Sequence, residues 1–283
     1  MGKFIFSISL IIVGLSVGVF LRAVLFRNNP YLQNNFGKWL QKCAVAFLVP
    51  LVALGAVWAA RIEDYRLALL PFLGAFSIIM GGTIGLMIAK LFKHGPKQKG
   101  PMFLCGAFSN IGSFGGFICY ILWGETSYGL VALYKLLEEV NLVLIGFPVA
   151  RFYAQEKVKW DRTHLQSYLR DPIFIISVSA VLLGLALNVM NWERPQIYQH
   201  INAVLIPFNT FLMLVSTGMN IRFSSLRRYF KECLAISAVK FIFLPVVVGL
   251  AAWFLGFNNI DQGLPFKVVL VLSAMPVAFY SQI

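Results

Sequence analysis

Four polar residues of one otherwise apolar stretch could carry proton or ion chemistry. Lys135, Glu138, Glu139 and Asn141 lie within Leu-Tyr-Lys-Leu-Leu-Glu-Glu-Val-Asn-Leu-Val-Leu-Ile, residues 133–145. If 128–152 is one membrane-crossing helix, both glutamates sit within ~3 Å of its midpoint at ~1.5 Å per residue. A charge at that depth costs ~2.5–3.5 kcal/mol on insertion scales, so it needs a partner or a purpose. Two readings stand side by side. Lys135 can neutralise Glu138 or Glu139 at i,i+3 or i,i+4 spacing. Alternatively, a buried carboxylate carries a proton, and Lys240, at similar depth in 229–256, is its counter-charge or an anion ligand. Adjacent glutamates point about 100° apart on a helix, so the pair is not expected to face one cavity squarely.

A second kind of candidate is a weakened helix. Ser-Asn-Ile-Gly-Ser-Phe-Gly-Gly (109–116) and Ser-Ala-Met-Pro-Val-Ala (273–278) interrupt two apolar runs. Freed backbone groups in hydrocarbon are tolerated only where they line a cavity or pack in protein. The N-terminus of a half-helix then presents partial positive charge to an anion. Asn110, Gly112 and Ser113 would offer polar atoms and close backbone approach, with Met275 and Pro276 at the other break. The competing reading is a packing face, since Gly112 and Gly116 are four apart, as are Gly14 and Gly18, and Gly81 and Gly85. For the last two pairs packing is the expected role.

The elements that must hold these residues follow from composition. Of 283 residues, 59% are hydrophobic and 12% charged, with mean hydropathy +0.78. A soluble domain carries roughly 25% charged residues, so this is the composition of an all-α multi-pass membrane protein. Nine apolar runs are near the ~20 residues that cross a bilayer: 4–26, 38–60, 67–90, 101–123, 128–152, 171–191, 198–221, 229–256 and 265–283. The run 4–26 is too long for a signal peptide, contains Arg22 and is followed by no small-residue cleavage site. The net charge of +13 falls in short clusters between the runs, which reads as topology and not as a nucleic-acid face. Seventeen Lys and Arg flank alternate connections (Arg22, Arg27, Lys38 and Lys42 form the first group), against five at the other side (Lys3, Arg61, Arg66, Arg194 and Lys267). The positive-inside rule therefore predicts a cytoplasmic (inner or plasma) membrane protein with its N-terminus outside.

Metal and enzyme chemistry find little support. Cys43, Cys105, Cys119 and Cys233 have no paired spacing, His94, His164 and His200 are scattered, and there is no HExxH. No cofactor is expected, and the chain is not read as an enzyme.

Internal symmetry sharpens the picture. Ala-Val-Ala-Phe-Leu-Val-Pro (44–50) in the second run resembles Asn-Ala-Val-Leu-Ile-Pro (202–207) in the seventh, and the fourth and ninth runs are both interrupted. A five-span offset is odd, so the copies would be inverted, the pattern that points to a midplane substrate site. The predicted organisation is a first repeat over 1–154, a cytoplasmic linker over 155–170, and a second repeat over 171–283 that lacks its tenth span.

These features resemble the auxin efflux carrier family of permeases, within a wider group that includes bile-acid/sodium symporters. The resemblance rests on Cys-Gly-Ala-Phe-Ser-Asn-Ile-Gly-Ser-Phe-Gly-Gly (105–116), Arg-Asp-Pro-Ile-Phe (170–174), Lys-Phe-Ile-Phe-Leu-Pro (240–245) and Val-Leu-Val-Leu-Ser-Ala-Met-Pro-Val-Ala (269–278). It implies ten spans in two inverted repeats whose broken fourth and ninth helices cross, with Asn110 and Pro276 at the crossover framing the substrate. It also implies a secondary carrier of small organic anions, such as carboxylates, working by alternating access. The fourth-span break lacks the proline that many relatives carry, having Ile111-Gly112 instead. The coupling ion is H+ or Na+. Substrate and membrane lipid are the expected partners, nucleic acid is not, and a homodimer is left open. A sodium-coupled symporter of bile-acid type and a non-transporting membrane sensor or scaffold are the alternatives.

Overall fold

The computed structural model describes residues 2–25, 30–60, 62, 64–154, 170–221 and 229–278. The predicted linker 155–170, save Arg170, and the end of the ninth run, 279–283, lie outside these residues. So do Arg27, Arg61, and the basic residues of 222–228. Among the described residues the chain is helical, and its one extended contact is an isolated bridge. The helices are α1 (Gly2–Val24), α2 (Pro30–Cys43), α3 (Val49–Ala59), α4 (Leu70–Leu91), α5 (Pro96–Ala107), α6 (Gly116–Trp123) and α7 (Glu125–Lys135). There follow α8 (Glu138–Asn141), α9 (Phe147–Tyr153), α10 (Pro172–Val189), α11 (Ile197–Asn220), α12 (Phe230–Ala238), α13 (Leu244–Phe254) and α14 (Leu264–Ser273).

Among the described residues six helices are long and apolar enough to cross a membrane: Ile5–Val24, Asn35–Ala59, Tyr65–Leu91, Pro172–Val189, Ile197–Asn220 and Phe230–Phe254. They coincide with the first, second, third, sixth, seventh and eighth apolar runs. Large apolar side chains such as Phe47, Phe72, Leu182 and Trp253 are exposed on their outer faces, as hydrocarbon contact requires. The other three runs are interrupted. The fourth breaks between α5 and Ile111, the fifth turns at Leu136 and Leu137, and the ninth leaves helical geometry after Ser273.

Proline accounts for three local irregularities. Wide π-helical turns occupy Ala44–Leu48, Leu142–Gly146 and Val239–Phe243, each ending two residues before Pro50, Pro148 or Pro245. Proline has no N–H, and its ring crowds the carbonyl four residues earlier, so the preceding turn widens to avoid it. Pro207 does not do this and sits inside the regular α11. Lys240 lies within the third wide turn, and Asn141 precedes the second.

The helices assort into two bundles that each draw on both halves of the chain. In one, α1 packs along α11, α10 along α3, and α2 against α11. In the other, α4 packs on α5, α7 and α13, α5 on α9, and α14 on α13, α7 and α6. Small residues set the close approaches. A Cβ on Gly18 would lie 2.2 Å from the Val215 carbonyl oxygen on α11, and one on Gly81 would lie 2.1 Å from that of Gly106 on α5. The glycine pairs 14/18 and 81/85 are therefore packing faces, as expected. The bundles meet chiefly where α3 lies against α7, with Gly129 set against the Ala56 carbonyl and the Ala60 methyl.

Candidate functional site

The site is built where two helices stop. After Ala107 the chain extends through Phe108 and Ser109, and Asn110 leads into the half-helix Ile111–Trp123. After Ser273 a second segment becomes extended and runs antiparallel to the first, bridging Ser109 to Val277. The Asn110 N–H donates to the Pro276 carbonyl at 2.8 Å, and the Ala278 N–H donates to the Phe108 carbonyl at 3.0 Å. Each break thus satisfies backbone groups that the other has freed, which is the condition for unwinding inside a membrane. No proline is needed in the first break, because its partner segment supplies the hydrogen bonds.

Within the first break Ser113 donates to Asn110 Oδ1 at 2.5 Å. With that oxygen engaged, the amide N–H groups are what Asn110 can offer a ligand. The N-terminal turn of the half-helix, at Ile111, Gly112 and Ser113, adds partial positive charge beside it. Thr210 of α11, in the opposite bundle, donates to the Ser113 carbonyl at 3.1 Å.

A cavity of about 550 Å³ lies between the bundles. Its wall includes Ser109, Asn110, Gly112, Ser113, Lys135, Glu138 and Glu139. Apolar surface from Val45, Val49, Ala53, Val131, Phe174, Val178 and Met213 makes up much of the remainder. Towards the end of the bundle where α11 finishes, the wall gains Lys38, Gln41, Lys42, Asp171 and Thr217.

The charged trio is loosely made. Lys135 Nζ stands 3.6 Å from Glu138 Oε2 and 3.9 Å from Glu139 Oε1, longer than charge-assisted hydrogen bonds. Glu138 is buried, while Glu139 is about a quarter exposed. Both glutamates reach the same cavity wall, against the expectation from a continuous helix. The turn at Leu136 and Leu137 separates Lys135 on α7 from both glutamates, which remain adjacent on α8 and reach the wall from neighbouring faces of that helix. A Cβ on Gly112 would lie 3.1 Å from Lys135 Nζ, and one on Gly116 would lie 2.9 Å from the Tyr128 ring. The stretch 109–116 therefore does both things considered for it: its start is unwound, and its glycines admit α7.

The remaining candidates are placed differently. Lys240 is 1% exposed and donates to Ser109 Oγ at 2.8 Å, so it supports the crossing from behind and does not form part of the cavity wall. Asn141 Nδ2 bonds the Leu137 carbonyl of its own turn at 2.7 Å. Met275 is buried, its side chain close to where a Cβ on Gly115 would lie. Pro276 contributes its carbonyl to the crossing. Among the described residues no group of three or more His, Cys, Asp or Glu could hold a metal ion.

Sequence reasoning did not single out the opposite end of the cavity. There Arg194 forks onto Glu125 at 2.5 and 3.0 Å and reaches the Gly55 carbonyl at 2.9 Å. Asn202 donates to the same carboxylate at 2.5 Å and to the Val52 carbonyl at 3.3 Å. The available signal was faint: Arg194 is one of the few basic residues on the sparse side. No family model matches the chain, and no curated protein matches it.

Proposed function

We propose that the protein is a secondary-active permease that moves a small organic anion, a carboxylate, across the cytoplasmic membrane by alternating access. In this reading it is not an enzyme. The observation that carries it is the pair of crossing helix breaks on the wall of an inter-bundle cavity, beside Asn110 and a loosely paired Lys135–Glu138–Glu139 set. An unwound crossing costs a helix its internal hydrogen bonds and has a use where the freed dipoles meet a ligand. The carboxylate would be drawn by Lys38 and Lys42 at the mouth and held by Asn110 with the half-helix N-terminus. Lys135 would exchange its contact with a glutamate for one with the substrate, and the released glutamate would take a proton. That exchange couples flux to H+.

The two bundles, each combining early and late helices, suit an inverted repeat of 1–154 and 171–283 with nine spans in this chain. The lysine-bearing cavity mouth would face the cytoplasm by the positive-inside rule, leaving the N-terminus outside.

The test is uptake of a panel of radiolabelled small carboxylates into proteoliposomes. Saturable uptake of at least one is expected, and Asn110→Ala should lower it at least tenfold, as expected for loss of a ligand-orienting donor in a desolvated site. Equal uptake by that variant removes Asn110 from the site, and no saturable uptake of any carboxylate defeats the reading of the substrate.

A further inference from the structure

We propose that Glu125, Arg194 and Asn202 form a latch that holds the cavity shut at the end opposite Lys38 and Lys42, and that its release opens the cavity there. The inference rests on the carrier reading, but its mechanics stand on four observations of their own.

The contact crosses between the bundles. Glu125 opens α7 in one bundle, whereas Arg194 precedes α11 and Asn202 lies on it in the other, and the accepting carbonyls of Gly55 and Val52 belong to α3. Other polar ties nearby stay inside a single bundle. Asn188 of α10 donates to the Trp58 carbonyl at 2.9 Å and also to those of Val57 and Ala60, while Trp58 Nε1 donates to the Trp192 carbonyl at 2.8 Å. Those bonds hold α3 to α10 whatever α7 does.

The latch also lies next to the cavity along two helices. Tyr128 lines the cavity and is one helical turn from Glu125 on α7, and Ala53, another lining residue, lies between Val52 and Gly55 on α3.

The interface beneath it is apolar. Gly129 meets Ala56 and Ala60 where α7 crosses α3, and Val52, Ala56, Phe117, Tyr128 and Ile206 form a buried cluster between the bundles. The Glu125–Arg194–Asn202 set adds a directional polar tie to that packing.

Finally, the network is not saturated. Asn202 is fully buried and its Oδ1 has no hydrogen-bond partner. A static core network would be expected to satisfy that oxygen. A contact that is made and broken leaves it for the other arrangement.

The experiment uses the full chain in sealed vesicles of known orientation, with Ala53→Cys as a reporter inside the cavity. A membrane-impermeant maleimide is added at the Arg194 end, and labelling at position 53 is read by mass spectrometry. Arg194→Gln should raise the labelling rate on the order of tenfold, since removing a contact made only in the closed arrangement shifts the population towards the open one. Asn202→Ala should raise it less. Labelling from the Lys38 end should stay unchanged in both, which shows that the fold is intact. An unchanged rate from the Arg194 end in both variants overturns the latch, and so does faster labelling from both ends, which marks general loosening. No substrate is needed, so the latch can fail while carboxylate uptake stands, or stand while it fails.

Discussion

Two groups of opposite charges lie at different depths of this molecule, and they are built to different tolerances. Arg194 and Glu125 meet fork to fork at 2.5 and 3.0 Å, with Asn202 and a main-chain carbonyl completing the set. Lys135 stands 3.6 and 3.9 Å from Glu138 and Glu139 across a turn between two helices, facing a cavity. The first geometry suits a contact that holds two bodies together, because bidentate guanidinium–carboxylate pairs are directional and strong. The second suits a contact that must be exchanged, because a cation shared between two acceptors at long range gives up little when a third arrives. Arg against Lys follows the same logic: a rigid planar fork fits the clasp, and a flexible point charge fits the exchange.

The comparison is broken most directly at Lys135. Lys135→Met leaves Glu138 buried without its cation, and the variant should lose about 3 kcal/mol of stability by denaturation in detergent. Adding Glu138→Gln should recover most of that loss. A loss that persists in the double variant would mean that Lys135 acts through packing and not through charge.

Arg194→Gln is the counterpart at the tight site. Its side chain and that of Glu125 are each about 15% exposed, so water can replace part of what is lost. The expected destabilisation is smaller, about 1–2 kcal/mol, read in the same denaturation assay. A loss exceeding that of Lys135→Met would mean that the tighter geometry of the Arg194 pair outweighs the deeper burial of Glu138.

The finest distinction lies between the two glutamates. Glu138→Gln should change the pH dependence of carboxylate uptake, because it removes the buried titrating group that faces Lys135. Glu139→Gln should cost under about 1 kcal/mol in stability, since a partly solvated pair contributes little, and should alter the pH profile less. Profiles unchanged in both variants would make the pair structural and remove the proton from the mechanism.

Much of the scaffold was legible in the chain itself, for a simple reason. Hydrocarbon demands long apolar helices, and among the described residues six of the nine expected runs take that form. The three exceptions are the ones carrying Asn110, the Lys135 group and Pro276, where polar or helix-breaking residues interrupt the run. Those same residues were visible as candidates because a charge or a break in a membrane segment needs a reason. The glycine pairs 14/18 and 81/85 were legible as packing faces, since four-residue spacing is a local property.

Other features depended on distant partners. Sequence spacing made Lys135 a neighbour of both glutamates, but only the folded structure shows both acids on one cavity wall. Lys240 was visible as a buried charge, while its engagement with Ser109, 131 residues away, was not. Glu125 and Arg194 are 69 residues apart, and nothing local announces that they meet. What the sequence determined alone is therefore the helical, membrane-compatible scaffold and the places where it must give way, because both follow from each segment's own need to satisfy its backbone in an apolar medium. Only the tertiary structure decided which breaks cross, which charges pair and which end of the cavity is closed, because those contacts join segments whose proximity no local pattern records.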